Sequence, residues 1–174
     1  EESGELTRIT KELSPEYEMA GVIEALGEKP VFFEKVRDAS FPVVAGFVSS
    51  KEIIARSLNL EKADLLHSLS SALEKPVPPQ VVENGECQEV VETEVDLTRL
   101  PIMRYTDKDG GRYIPSAVSI VRDPELGRNM SFHRLMLIGK NRFAARIVED
   151  RGTDTALKKS GGELDIAICI GNST

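Results

Sequence analysis

Apolar positions change their spacing near the middle of this chain, from helical repeats and short runs to a series of alternating segments. In the first half, Met19, Val22, Ile23 and Leu26 recur at helical intervals. Ser14-Pro15-Glu16 ahead of them reads as a helix start, with serine as cap and proline at the first helical position, and Gly27 is placed to end the helix. The runs over 31–36 and 41–48 predict two strands, the second tolerating Pro42 among its first residues. Ser49 and Glu52 have the spacing of a capping box for a helix through Leu58. Leu65, Leu66, Leu69 and Leu73 give one apolar side to a further helix over 61–74, which Pro76-Val77-Pro78-Pro79 stops. His67 in that helix has no second ligand at helical spacing and reads as a flanking residue.

Residues 81–95 are acid-rich and only partly alternating, which fits an edge strand or an exposed connection whose acids form a solvated face. A short turn over 96–101 leads into the apolar stretch 102–105. From 109 to 152 the pattern is that of a β-meander, with strands over 113–122, 130–138 and 142–148. Its breaks are Gly110-Gly111, Asp123-Pro124-Glu125-Leu126-Gly127, Gly139-Lys140-Asn141 and Arg151-Gly152. Residues 152–160 predict a short helix closed by Gly161-Gly162, and the aliphatic run 164–170 predicts a last strand buried on both faces. A buried strand so close to the last residue leads us to expect the front part of something larger. The fold class is α+β: an N-terminal α/β lobe over 1–79, then a β domain over 80–174.

Composition narrows the function classes. With 174 residues, 40% apolar and 29% charged, the chain can bury one core or two small ones. A net charge of −7 argues against a general nucleic-acid binder but leaves room for a local basic pocket that holds a phosphate. Cys87 and Cys169 lack metal-ligand spacing and read as free thiols in a reducing cytoplasm. No apolar run approaches the roughly 20 residues of a membrane span. Glu1, Glu2 and Glu5 stand where a secretory leader would be basic, so a soluble cytoplasmic protein is expected.

The candidate chemistry lies in the meander. Arg128, Arg134, Arg142, Arg146 and Arg151 cluster there, and guanidinium groups held on rigid strands suit two-pronged recognition of phosphate or carboxylate. Strand alternation would put Arg142 and Arg146 on one face and Arg134 on the neighbouring strand; some of the five could equally be surface charges facing Glu125, Glu149 or Asp150. Asn129 is either a turn residue or a hard oxygen ligand for a divalent cation. His133 shares a face with Asn129 and Ser131 but has no acid or nucleophile partner that would make a triad. From the residues alone this is an anion-binding β domain with no assigned reaction.

The motifs go further. Asp109-Gly110-Gly111-Arg112-Tyr113-Ile114, then Arg122-Asp123-Pro124, then Gly127-Arg128-Asn129 with Phe132-His133-Arg134, resemble the UbiD family of decarboxylases. The similarity extends to Gly4-Glu5-Leu6-Thr7-Arg8-Ile9, Phe33-Glu34-Lys35-Val36 and Pro42-Val43-Val44, so it covers nearly the whole chain. It implies that the β domain is part of a split β-barrel of the flavin-reductase type. It also implies a non-oxidative carboxy-lyase that acts on unsaturated or aromatic acids through prenylated FMN. The flavin phosphate would be held by Mn2+ or Mg2+, with K+ as a further ion, and a flavin prenyltransferase would supply the cofactor. By the same resemblance Asn129 is a metal ligand; Phe132, His133, Arg134, Arg146, Ile147, Val148, Arg151 and Gly152 contact the cofactor; and Arg134 is the catalytic arginine. Asp150 stands where many members have histidine, so Asp150 or Glu149 is a substitute metal ligand to be tested. The family's acidic metal ligand and catalytic acid would lie beyond Thr174, leaving about the first two fifths of an enzyme that forms a homo-oligomer and is inactive in this piece alone. The expected substrate is a phosphorylated isoprenoid precursor, anhydromevalonate phosphate, or a polyprenyl-hydroxybenzoate. The alternative is a non-catalytic flavin- or phosphate-binding module, or a subunit completing another chain.

Overall fold

A computed structural model describes residues 6–27 and 29–172; the motif residues Gly4 and Glu5, the leader-position acids Glu1 and Glu2, and Ser173 and Thr174 lie outside the described residues. The first part carries β1 (Thr7–Ile9), α1 (Glu18–Leu26), β2 (Val31–Phe33), β3 (Val43–Ala45), α2 (Lys51–Ser57) and α3 (Leu65–Glu74). The second part carries β4 (Tyr113–Ile114), β5 (Val118–Asp123), β6 (Gly127–Phe132), β7 (Leu135–Gly139), β8 (Arg142–Ala145), α4 (Gly152–Lys159) and β9 (Ile166–Cys169). It is thus a mixed helix and strand fold with three small open sheets, ordered β1-β2-β3, β4-β7-β8 and β6-β5-β9. No helix among the described residues is long and apolar enough to cross a membrane.

Several element ends differ from expectation for local reasons. The chain from Ser14 does not enter α1 at once: the Pro15 carbonyl accepts from Arg104 N–H and Tyr17 N–H donates to the Arg104 carbonyl, which delays the helix to Glu18. Gly27 does end it, at φ 63. The cap of α2 is Ser50, whose hydroxyl accepts from Ile53 N–H at 3.2 Å; Ser49 donates to the Gly46 carbonyl instead. The leucines of α3 diverge, with Leu65 buried while Leu66 and Leu73 stay 79% and 85% exposed. Residues 81–95 form an exposed connection with one short turn of helix, Glu86–Gln88, and no strand.

The expected meander is split between two sheets. The predicted strand 113–122 is two, β4 and β5, because Pro115 between them has no N–H to give to a ladder. The predicted strand 130–138 is also two: β6 pairs with β5 in one sheet, β7 with β4 and β8 in another, and residues 133–134 make the crossing. The turn after β5 is as expected: Asp123 Oδ1 accepts from the N–H groups of Glu125 and Leu126 at 2.8 and 2.9 Å, and Gly127 takes φ 82. The last strand is a correction. β9 is an edge strand beside β5, with Ile166 47% exposed, so it is not buried on both faces. Cys87 and Cys169 are free thiols.

Two apolar clusters hold these elements. Leu13, Met19, Val31, Phe33, Val36 and Met103 form the first; Ile102, Ile114, Ala117 and Leu135 form the second. Ile102 and Met103 are neighbours in an extended segment, so alternation sends one side chain to each cluster.

Candidate functional site

Helix α4 crosses the face of β5 and β6, and its first turn stands beside Asn129. Thr153 and Ala156 are buried beneath it, while Lys159 at the other end bonds Asp123 at 3.3 Å and Glu125 at 2.7 Å. Next to this first turn opens a cleft of about 500 Å³. Asn129 and Ser131, on the half-buried side of β6, contribute to its wall, as do Phe132, His133 and Arg134 where the chain crosses between sheets. Arg146, Ile147 and Val148, just past the end of β8, contribute another side, and Arg151, Gly152 and Thr153 close it at the start of α4.

Every position carried over from the motifs therefore lines one cleft. The arginines do not share strand faces as expected: β8 ends at Ala145, so Arg146 lies beyond the strand, and Arg134 lies between strands. Arg134, Arg146 and Arg151 converge on the cleft; Arg128 and Arg142 are exposed and do not line it. Asp150 and Glu149 do not line it either. Asp150 sits at φ 57, and its carboxylate is engaged by Lys158 at 3.2 Å.

Thr153, which the sequence patterns did not single out, organises the floor. Its hydroxyl lies 3.2 Å from Ser131 Oγ and 3.0 Å from His133 Nε2, and Ser131 Oγ is itself 3.0 Å from His133 Nε2. With Nε2 unprotonated, Thr153 can donate to the ring and Ser131 to Thr153, which fixes the imidazole against the floor. Gly152 is needed for a steric reason: a Cβ there would lie 2.7 Å from Asn129 Oδ1 and 3.1 Å from its Cγ.

The electrostatics favour an anion. Three arginines and no acid line the cleft in a chain of net charge −7, and among the described residues neither Arg146 nor Arg151 makes an ion pair. Arg151 precedes α4 without a side-chain cap, so the first backbone N–H groups of the helix add to the same field. Arg134 lies over the Tyr113 ring at 4.7 Å and 3.6 Å from Asp109 Oδ1. Burial, and behind it the Asp109 carboxylate, raises the Tyr105 hydroxyl above its ordinary pKa, with Arg134 pulling the other way.

These residues fit a flavin phosphate well and a divalent cation only in part. The arginines and the helix start suit a dianion. For the cation, Asn129 lends one oxygen, and no cluster of three or more His, Cys, Asp or Glu able to hold a metal occurs among the described residues. A divalent ion takes about six oxygen ligands, so others must complete the set.

Comparison with known proteins settles the family. The model of the 3-octaprenyl-4-hydroxybenzoate carboxy-lyase Rift-related domain, UbiD, matches residues 80–174, and that of the corresponding N-terminal domain matches residues 1–73. The chain belongs to the UbiD family. It is 36% identical over 167 residues to anhydromevalonate phosphate decarboxylase of Methanothermobacter thermautotrophicus, covering 94% of this chain and 39% of that relative. Among solved UbiD-class structures, an evolved dimeric form of HmfF from Pelotomaculum thermopropionicum in complex with prFMN superimposes with a TM-score of 0.92 at 32% identity, covering 99% of this chain and 42% of that one. Vanillic acid decarboxylase of Sedimentibacter hydroxybenzoicus, in its closed form, gives 0.89 at 30% identity, covering 99% and 41%. The chain thus spans about two fifths of the length of the UbiD proteins it matches.

Proposed function

We propose that this chain forms the flavin-holding part of a non-oxidative UbiD decarboxylase that uses prenylated FMN. The observation that carries the reading is the convergence of Asn129, residues 132–134, residues 146–148, Arg151 and Gly152, from separate segments of the chain, on one acid-free cleft. When bound, the prenylated flavin supplies the electron sink for loss of carbon dioxide. The chain's own residues bind and orient. Arg146, Arg151 and the first turn of α4 hold the phosphate end, where a Mn2+ or Mg2+ ion, with K+ as a further ion, is ligated in part by Asn129. Phe132, Ile147 and Val148 give the ring system apolar contact, and His133 is kept in place by Ser131 and Thr153. Arg134 faces the substrate carboxylate, where a fixed positive charge stabilises the charge that moves in the reaction.

In this reading residues 1–79 are an N-terminal lobe and residues 80–174 begin a split β-barrel that further chain completes. The remaining metal ligands and the proton donor come from outside the chain, and the complete enzyme works in the cytoplasm as a homo-oligomer loaded by a flavin prenyltransferase. The relative from Methanothermobacter favours anhydromevalonate phosphate as the acid, in isoprenoid biosynthesis, over a polyprenyl-hydroxybenzoate.

The test is to co-express the full-length protein with a flavin prenyltransferase, record the flavin spectrum and bound metal, and measure carbon dioxide release from each acid. Bound prenylated flavin with release from anhydromevalonate phosphate is expected, and Arg134→Ala should lower kcat/KM at least about a hundredfold. A full-length protein that takes up no flavin overturns the reading. Uptake of flavin with no release from any acid leaves a flavin-binding module, and full activity in Arg134→Ala removes that arginine from the reaction.

A further inference from the structure

Asp109 does not line the cleft, yet its carboxylate is held on two sides. Its Oδ2 accepts from the backbone N–H groups of Tyr105 and Thr106 at 3.1 and 3.0 Å, and its own carbonyl accepts from Arg104 Nη2 at 2.8 Å. Two donors converging on one oxygen stop the carboxylate from turning. The other oxygen, Oδ1, is left facing Arg134 Nη2 at 3.6 Å. The Asp109 side chain is 16% exposed, whereas that of Arg134 is 64% exposed. A fixed acid therefore meets a long, exposed base, whose guanidinium rests on the Tyr113 ring.

A long pair whose base is this exposed contributes little to stability. What it does is choose a direction. Arg134 sits where the chain crosses from one sheet to another, without a strand ladder through its own backbone to orient it. With Nη2 turned to Asp109 and one face on Tyr113, the planar guanidinium of this cleft-lining residue has few orientations left to it. We infer that Asp109 is a positioning residue that aims the Arg134 guanidinium at the cleft, with Tyr113 as its platform. This rests on the reading of Arg134 as the group that faces the substrate carboxylate.

Asp109→Asn is the informative variant, because an amide oxygen can still accept from Tyr105 and Thr106 and keep the loop, while the charge that holds Arg134 is gone. Two measurements on the full-length holoprotein decide. The first is labelling by phenylglyoxal, followed at each arginine by peptide mass spectrometry. Arg134 should react about threefold faster or more in Asp109→Asn, its shielding partner being lost, with Arg146 unchanged. The second is kcat/KM for anhydromevalonate phosphate, which should fall about tenfold in Asp109→Asn and recover in part in Asp109→Glu, with flavin and metal content unchanged. Combined with Arg134→Ala, the Asp109 change should add nothing, since both remove one unit. Unaltered Arg134 labelling, or losses that multiply in the double variant, would overturn the inference. If the parent holoprotein releases no carbon dioxide, it is the decarboxylase reading that fails, and the labelling still decides on Asp109.

Discussion

At the scale of single residues the tightest constraint is the contact between Gly152 and Asn129. An added methyl at Gly152 must push the amide, because Oδ1 would be 2.7 Å away and the backbone of α4 is held by its own hydrogen bonds. Gly152→Ala is therefore expected to spare the fold and misplace Asn129. Metal retained by the full-length holoprotein, read by elemental analysis after dialysis, should show affinity about tenfold weaker or worse. Retention equal to the parent would mean that Asn129 is not a ligand. The cleft residues were legible in the sequence through the family's motifs; the physics of spacing did not find them. Alternation placed Arg142 beside Arg146 on a strand that ends before Arg146. Thr153 was illegible because a hydroxyl in the first turn of a helix is commonplace, and only the fold brings it to within 3.0 Å of His133.

At the scale of elements, the β5–β6 hairpin and α4 form a unit closed by charge. The Asp123 carboxyl is held below its ordinary value of 3.8, first by the N–H groups of Leu126 and Glu125 and then by Lys159. A depressed folded-state pKa gives stability that is present above the unfolded value and is lost as pH falls through the folded one. Asp123→Asn should thus lower the melting temperature at neutral pH, and the gap to the parent should close below about pH 3.8 as the parent's carboxyl protonates. A gap that stays constant down to acid pH would show that the charge does not matter. Turn chemistry of this sort is local, and so the sequence announced it. Of the two breaks in the meander, the one at Pro115 is visible in the sequence, as a residue with no N–H to give to a ladder. The other, at 133–134, carries no proline or glycine; its one trace is the adjacent polar pair His133-Arg134, and the change of sheet is a property of the partners.

On the scale of the whole molecule, the two parts are joined through a seam at residues 102–104. Met103 is 7% exposed in the first cluster and Ile102 3% exposed in the second, while Arg104 bridges to Glu16 and Arg112 bonds the Glu16 carboxylate at 2.7 Å. Met103→Ala should cost about 2–5 kcal/mol in urea unfolding, the range for truncating a buried large side chain. Hydrogen exchange should quicken in β2 as well as in β4, whose Tyr113 bridges Met103. Acceleration confined to one side would mean that the parts open independently. That most helices precede most strands was visible in the sequence, but a seam in which adjacent residues serve different cores was not, since nothing in a short apolar run says how many clusters it touches.

The double anchoring of α4 has a consequence for traffic. Its first turn is tied to β6 through Thr153 and Ser131, and its last to the β5–β6 turn through Lys159. A helix fastened at both ends to one hairpin cannot swing away from it as a door would. On the opposite side of the cleft lies the segment after β8, which carries Arg146, Ile147 and Val148 outside any ladder. An occupant of the cleft therefore meets one side tied at both ends and one side that no ladder holds.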